Sequence, residues 1–306
     1  MPKCNIKIDF DRSNRIYQAG ETVAGTVCVQ TDEQVNCKAL TIELLWAVHG
    51  KGDKRNTVIQ SKTESDQSWS SGAEQRYPFS FQLPSAPLTY HGHILNIDYC
   101  VYARADLLWS VDAKAEEMIT VVPGAACEEI KKSFEQAIAE PAPKIRFNIA
   151  GLIMVLVIGL LAYFASLFFL IIMIFALFRL MKDIRSYIAE KKLGKVQAEL
   201  QSTVVYPGQS VPVSVRFNTV EQIPVNSVTV TLTGEESCVS GSGRNARTHY
   251  HTFHKEVFSL SPSGSSEFWG DIKIPETGAY TFIAPCDSIK WEVLFYLDIP
   301  KLTDWQ

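Results

Sequence analysis

The sequence lacks the features of disulfide-rich, zinc-binding and nucleic-acid-binding proteins. Its seven cysteines are an odd number and include no CxxC pair, which argues against a disulfide framework and a structural zinc site. The formal net charge is only −4, so no nucleic acid is expected as a partner. The N-terminal residues contain no apolar stretch typical of a secretory signal peptide. We therefore expect a reducing compartment and mostly buried thiols.

The sequence also lacks the motifs of common enzyme classes. No nucleophile elbow, zincin motif, phosphate-binding loop or dinucleotide-binding loop occurs in a matching context. Asp106 and Asp112 flank a short apolar stretch, and we interpret them as hairpin residues rather than as an acid–base pair. His91 and His93 are interpreted as turn residues. The prediction is a chain that is not an enzyme and has no cofactor.

Alternating apolar and polar residues, typical of β-strands, dominate the chain on both sides of its middle. The polar tract from Ser61 to Ala73 is interpreted as a turn region, and alternation returns after Val196. Short strands at regular spacing predict a β-sandwich. The strand-like runs before residue 123 are Asn5–Phe10, Thr22–Gln30, Ala39–Val48, Tyr77–Leu83, Ile94–Ala103 and Met118–Val122.

The two β-rich parts share landmarks in the same order, which indicates an internal repeat. Each has a tyrosine–glycine turn, an alternating strand, a strand that ends on proline and a long final strand. The matched pairs are Tyr17–Val23 with Tyr206–Val211, Val35–Leu45 with Ile223–Leu232, Phe79–Pro84 with Phe268–Pro275, and Ile97–Asp106 with Ile289–Asp298.

The landmarks of the first part resemble those of the arrestin family. They are Tyr17, Gly20, Glu21, Val23 and Gly25; Leu44, Trp46 and Gly50; Phe79, Phe81, Leu83 and Pro84; and Tyr90, Gly92, Ile97, Tyr99, Val101 and Ala103. The second part is similar to the second arrestin domain more loosely, through Pro207-Gly208 and Trp291–Pro300. The resemblance implies a mainly β fold, with two immunoglobulin-like, arrestin-like β-sandwich domains over roughly 5–122 and 196–300.

An uncharged stretch of 30 residues, Ile149–Phe178, lies between these parts. About 20 apolar residues suffice to cross a bilayer as a helix, so we predict an α-helical membrane segment that joins the domains. A single tilted helix and a re-entrant hairpin that turns near Tyr163–Ser166 are both compatible with it. The predicted membrane positions are Ile149, Gly151, Gly159, Tyr163, Ser166 and Phe178.

The flanks of this stretch complete the predicted domain organisation. Before the stretch, Glu128–Ala139 fits an amphipathic helix, and the proline-containing linker that follows it ends the helix. After the stretch comes a basic segment with an apolar stripe. The predicted lipid contacts are Arg179, Lys182, Arg185, Lys191, Lys192 and Lys195. The predicted boundaries are 1–123 and 196–306 for the sandwiches, 124–148 for the helix and linker, 149–178 for the membrane segment and 179–195 for the basic helix.

His249, His251 and His254 are the best candidates for a metal site. In a strand, His249 and His251 lie on one face and His254 on the other, and two histidines at this spacing can hold zinc with a third ligand. An exposed strand next to a Gly-Ser loop explains them more simply, because a match of two histidines is weak evidence for a metal site. We therefore predict no metal site and keep these histidines as weak candidates.

These patterns predict a non-catalytic, membrane-anchored scaffold or adaptor. Its partners would be the lipid bilayer and a protein that the sequence does not identify. Both flanks of the uncharged stretch are basic, which favours a cytoplasmic C-terminal domain and a cytoplasmic N-terminal domain. A membrane-remodelling or pore-forming homo-oligomer is the first alternative, and a metal-dependent enzyme that uses the three histidines is the second.

Overall fold

The computed structural model describes residues 4–108, 110–124, 173–181, 196–202, 204–217, 225–264, 266–276 and 279–299. Within these ranges the fold is mainly β, as predicted. The strands are β1 (Cys4–Phe10), β2 (Ile16–Gln18), β3 (Thr22–Thr31), β4 (Val35–Gly50), β5 (Arg55–Trp69), β6 (Glu74–Gln82), β7 (Tyr90–His91), β8 (Leu95–Leu107), β9 (Ala113–Val122), β10 (Val196–Leu200), β11 (Ser210–Phe217), β12 (Ser227–Ser240), β13 (Arg247–Pro262), β14 (Glu267–Lys273), β15 (Phe282–Ile283) and β16 (Asp287–Asp298).

The chain forms two compact units. Unit 1 takes its described residues from Met1–Phe134, Gly234–Phe253 and Ala279–Lys290, and unit 2 takes them from Glu135–Thr233, His254–Gly278 and Trp291–Gln306. Strands β12, β13 and β16 therefore contribute residues to both units. The predicted domain boundaries stay a prediction.

Unit 1 contains a β-sandwich. One sheet has the order β1-β3-β6, and the other has the order β2-β9-β8-β4-β5 with β7 paired to β8. In β1 the residues at every second position, Cys4, Ile6 and Ile8, are buried, because successive side chains of a strand point to opposite faces. They join a core to which both sheets contribute, with Tyr17 and Tyr99 fully buried in it.

Strand β5 corrects the interpretation of Ser61–Ala73 as a turn region for residues 61–69, which belong to β5, whereas residues 70–73 form the turn to β6 as predicted. The tract is polar because β5 is the edge strand of its sheet, where most side chains are exposed and alternation with apolar residues is not required. Its side chains also protect the edge of β6. Lys62 Nζ donates to Pro78 O at 2.8 Å, and Gln60 Oε1 accepts from Gln82 N at 3.0 Å.

Unit 1 has a second, smaller core next to the sandwich. It consists of Val48, Ile94, Leu95 and Ile97 together with Cys238 and Ile289. Trp46 contacts Phe282 edge to face at a centroid distance of 5.7 Å. The six described cysteines are free thiols, and four of them are buried, as expected for small apolar side chains.

Unit 2 contains its own core around β11, β12 and β14. Val213, Val215 and Phe217 alternate with exposed or half-buried residues along β11, which pairs antiparallel with β10 and β14. Phe217 stacks on Phe268 at 6.0 Å. The alternation along β11, β12 and β14 is again what the sequence predicts for strands with one buried face.

The predicted membrane localisation is wrong. In the part of the chain that the structure describes, no helix has the length and apolar character needed to cross a bilayer. The described residues 173–181 are helical. Phe178 and Arg179 lie in this helix and are exposed. The other predicted membrane and lipid-contact positions, and Glu128–Ala139, lie outside the described residues.

Candidate functional site

A buried carboxylate is the centre of the polar site in unit 1. Glu236, on β12, is completely buried. Its Oε1 accepts hydrogen bonds from Tyr90 Oη at 2.5 Å and from His93 N at 3.1 Å, and its Oε2 accepts from Ile94 N at 2.8 Å. We call Tyr90, His93 and Ile94 the Glu236 cradle. A buried charged group is tolerated when such donors replace its water.

The cradle is a short turn between β7 and β8. Gly92 N donates to Leu95 O at 2.9 Å and closes the turn, which brings the next two backbone N–H groups toward Glu236. Burial and the hydrogen bond to Glu236 raise the pKa of Tyr90. The phenol therefore stays protonated and remains a donor.

Gly92 provides the space into which Glu236 fits. A Cβ added at residue 92 would overlap Glu236 Oε1 and would lie 2.6 Å from Tyr90 Cε1. We expect Gly92→Ala to lower the free energy of unfolding by about 2 kcal/mol, as overpacking does in other proteins. Urea denaturation of the full chain measures this.

Gly264→Ala is the matched control, because nothing lies within 4 Å of a Cβ added there. This variant should unfold at the wild-type urea concentration. Equal stability of the two variants would contradict the close fit of Gly92 against Glu236.

A second buried carboxylate lies at the start of β16. Asp287 is 3% exposed, and its Oδ2 accepts from Arg55 Nη1 at 2.8 Å. Arg55 Nη2 also donates to Val239 O at 3.1 Å, and Asp53 Oδ2 accepts from Gly241 N at 3.0 Å. These hydrogen bonds connect the β4–β5 turn and the first residue of β5 to the end of β12 and to the start of β16.

A third carboxylate, Asp98 on β8, accepts from two histidines. His49 Nε2 lies 2.5 Å from Asp98 Oδ2, and His91 Nε2 lies 2.7 Å from Asp98 Oδ1. Burial opposes ionisation of Asp98, but the hydrogen bonds from His91 and His49 outweigh it and lower the pKa of this carboxyl group. We call these three residues the Asp98 clamp.

The outer face of the β1-β3-β6 sheet forms a groove of about 710 Å³. Two ion pairs line it, Lys7 with Asp9 at 2.6 Å and Arg76 with Glu74 at 2.8 Å, and Phe10 and Phe79 meet edge to face in it. Cys28 lies between the ion pairs. Burial and the Asp9 carboxylate raise the pKa of its thiol, which disfavours the nucleophilic thiolate.

This sandwich and its strand landmarks agree with one protein family. Residues 6–75 and 52–127 match the model of the arrestin (or S-antigen) N-terminal domain. The N-terminal part of the chain is arrestin-like. The resemblance noted in the sequence is confirmed for this part, whereas the inserted membrane segment is not supported. No curated protein matches the chain.

Among solved structures, the chain is similar to the crystal structure of Spo0M, a sporulation control protein from Bacillus subtilis. The two share 20% sequence identity with a TM-score of 0.36, over 45% of this chain and 56% of Spo0M. The arrestin-like assignment rests on the family match and not on this similarity.

The predicted candidate histidines have separate surroundings in the structure. His249 Nε2 is 2.9 Å from Ser240 Oγ, and His251 stacks on His93 at a centroid distance of 4.0 Å. His254 lies 5.4 Å from the Trp291 ring. Within the described ranges, no group of three or more His, Cys, Asp or Glu side chains is placed to hold a metal ion.

Sequence reasoning missed Glu236, Asp287 and Arg55. A signal for Glu236 was present. Val228, Val230 and Leu232 are buried at every second position of β12, and the same alternation places residue 236 on the buried face. A charged residue at an apolar position of a strand indicates a buried polar contact. The sequence did identify Tyr90 and Gly92 as landmarks of the arrestin-like part, and both belong to the turn that holds Glu236.

Proposed function

We propose that the chain is a non-catalytic scaffold or adaptor that binds a protein partner through the groove on the β1-β3-β6 sheet. The match of residues 6–127 to the arrestin N-terminal domain carries this proposal. A rigid sandwich that presents an exposed face is suited to positioning a partner.

The chemistry of unit 1 supports a binding role. Both oxygens of the buried Glu236 carboxylate are engaged by groups of the protein itself, and Asp287 is paired with Arg55 through Oδ2, so both carboxylates hold parts of unit 1 together. The groove, in contrast, combines exposed charges, which include the Arg76 guanidinium, with the half-buried ring of Phe10. Such mixed surfaces are typical of protein interfaces, where aromatic and arginine side chains are enriched.

A site-specific photocrosslinker tests the proposal. We place it at Thr26, which lines the groove, and at Ser261, an exposed residue of β13 in unit 2, as the control. Illumination in cells that produce the full chain should yield a discrete protein adduct from Thr26 and none from Ser261. The partner is then identified by mass spectrometry, purified and titrated against the full chain.

Reversing the two groove cations, Lys7→Glu with Arg76→Glu, should weaken binding of the purified partner to the full chain by about tenfold or more. Crosslinking that is equal at Thr26 and Ser261 would overturn the groove as the binding surface. If the adduct forms only at Thr26 but the charge-reversed chain binds the purified partner as tightly as the wild type does, the two ion pairs have no role in binding.

A further inference from the structure

Strand β10 is the terminal strand of its sheet in unit 2. In the part of the chain that the structure describes, it pairs with β11 on one side only. Its five residues include neither lysine nor proline, which natural proteins often place on an edge strand to prevent pairing with another chain. In unit 1, by contrast, side chains of β5 protect the edge of β6. The outer edge of β10 is therefore suited to accept a further strand.

The hydrogen-bond pattern shows which backbone groups face this outer edge. Gln201 N donates to Pro212 O at 3.1 Å, so these two residues form a hydrogen-bonded pair of the antiparallel ladder. Hydrogen-bonded and non-hydrogen-bonded pairs alternate along such a ladder, so Gln197 and Glu199 also bond to β11. The residues whose N–H and C=O groups point away from β11 are Val196, Ala198 and Leu200.

This edge is complementary to a second copy of itself. When two β10 strands pair antiparallel about a two-fold axis at Ala198, Val196 of each copy lies opposite Leu200 of the other. Each of the three outward-facing residues in each copy then donates one hydrogen bond and accepts one. The same register places Gln197 opposite Glu199 of the second copy, so that an amide donor faces a carboxylate acceptor.

The side chains of β10 agree with this pairing. Val196 and Leu200 are half-buried and pack against the core of unit 2, so across the axis they meet each other and extend an apolar surface. Ala198 is exposed and small, so it places no bulk at the axis. Glu199 lies opposite glutamine rather than a second glutamate, so no like charges directly oppose each other.

We propose that the chain forms a homodimer in which β10 of one copy pairs antiparallel with β10 of a second copy about Ala198. The pairing uses the outer edge of β10 in both copies, so association by this edge stops at the dimer. Because a five-residue edge is shorter than the interfaces of stable complexes, the dimer forms at high protein concentration. It does not depend on the proposed adaptor function, and it gives one assembly two copies of the groove.

Sedimentation equilibrium of the full chain tests the dimer over about 5 to 500 µM, a range in which weak interfaces dissociate. The wild type should change from monomer to dimer. Ala198→Pro removes the N–H of residue 198 but keeps the ladder with β11, because this N–H points away from β11. One hydrogen bond is lost from each copy, and each is worth about fivefold in affinity. The dissociation constant should therefore rise by about twentyfold.

Two further substitutions at the same residue serve as controls. Ala198→Thr keeps the N–H and adds a favourable threonine pair at the axis, so it should dimerise at least as tightly as the wild type. Ala198→Lys also keeps the N–H but places two like charges opposite each other, so it should weaken the dimer even if the proline variant fails to fold. A wild type that stays monomeric throughout, or a dimer that neither Ala198→Pro nor Ala198→Lys weakens, would overturn the proposal.

Disulfide trapping tests the register. A chain with Gln197→Cys is mixed with a chain with Glu199→Cys, and oxidised glutathione is added as the oxidant. The two positions form a non-hydrogen-bonded pair across the axis with Cα atoms about 4.5 Å apart, which a disulfide can bridge. Peptide mapping of the mixture should show a disulfide between positions 197 and 199, and neither chain alone should form it. Absence of this disulfide from a mixture that still dimerises would overturn the pairing about Ala198.

Discussion

Replacing Glu236 by alanine is expected to lower the free energy of unfolding by about 4 kcal/mol. The change leaves the buried amide of Ile94, and the part-buried Tyr90 Oη and His93 amide, without their acceptor. Each buried donor that loses its partner costs about 1 to 3 kcal/mol, and relaxation of the turn recovers part of the sum. Urea denaturation followed by tryptophan fluorescence measures the change.

Glu235→Ala is the control for this experiment. Residue 235 is the neighbour of Glu236 on β12, lies on the opposite face and is only partly buried. Its replacement should change the free energy of unfolding by about 0.5 kcal/mol or less. If Glu235→Ala and Glu236→Ala are equally destabilised, the cradle does not hold a buried charge.

Arg55→Ala is expected to lower the free energy of unfolding by about 3 kcal/mol. Removing one partner of a buried ion pair leaves the other charge uncompensated, which costs about 3 to 5 kcal/mol when both groups are buried. Asp287 is almost completely buried, whereas the Arg55 side chain is 34% exposed, so the lower end of this range applies. Thermal or urea unfolding of the variant gives the value.

Arg76→Ala removes an arginine from an exposed ion pair with Glu74 and should leave the free energy of unfolding close to that of the wild type. A second variant tests the origin of the Arg55 effect. Adding Asp287→Asn to Arg55→Ala removes the buried charge and should recover part of the lost stability. A double variant less stable than Arg55→Ala alone would show that the arginine acts through packing rather than through its charge.

The β architecture was predictable because most strands of unit 1 have one face in the core. Alternation in β1, β3 and β8 follows directly from that arrangement. Strand β5 was missed because it lies at the edge of a sheet and has few buried side chains. A polar edge strand and a polar loop have similar composition, and only pairing with β4 distinguishes them.

The candidate site was less predictable, because its groups come from distant parts of the sequence. Arg55 and Asp287 are 232 residues apart, and nothing local marks either as a partner of the other. The turn at 90–94 was recognised as a landmark, but its function as a cradle depends on Glu236, which lies more than 140 residues later. The long apolar stretch gave the strongest local signal, and the membrane localisation inferred from it was wrong.

The fit between Gly92 and Glu236 has a consequence for how this chain evolves. The space that a Cβ at residue 92 would need is filled by the carboxylate of Glu236 and the ring of Tyr90. A shorter side chain at 236 would remove one of these two obstacles, but the Tyr90 ring, 2.6 Å from the added Cβ, would remain. A side chain at 92 therefore requires changes at both 236 and 90, and we expect glycine at 92 to be replaced only after both neighbours have changed.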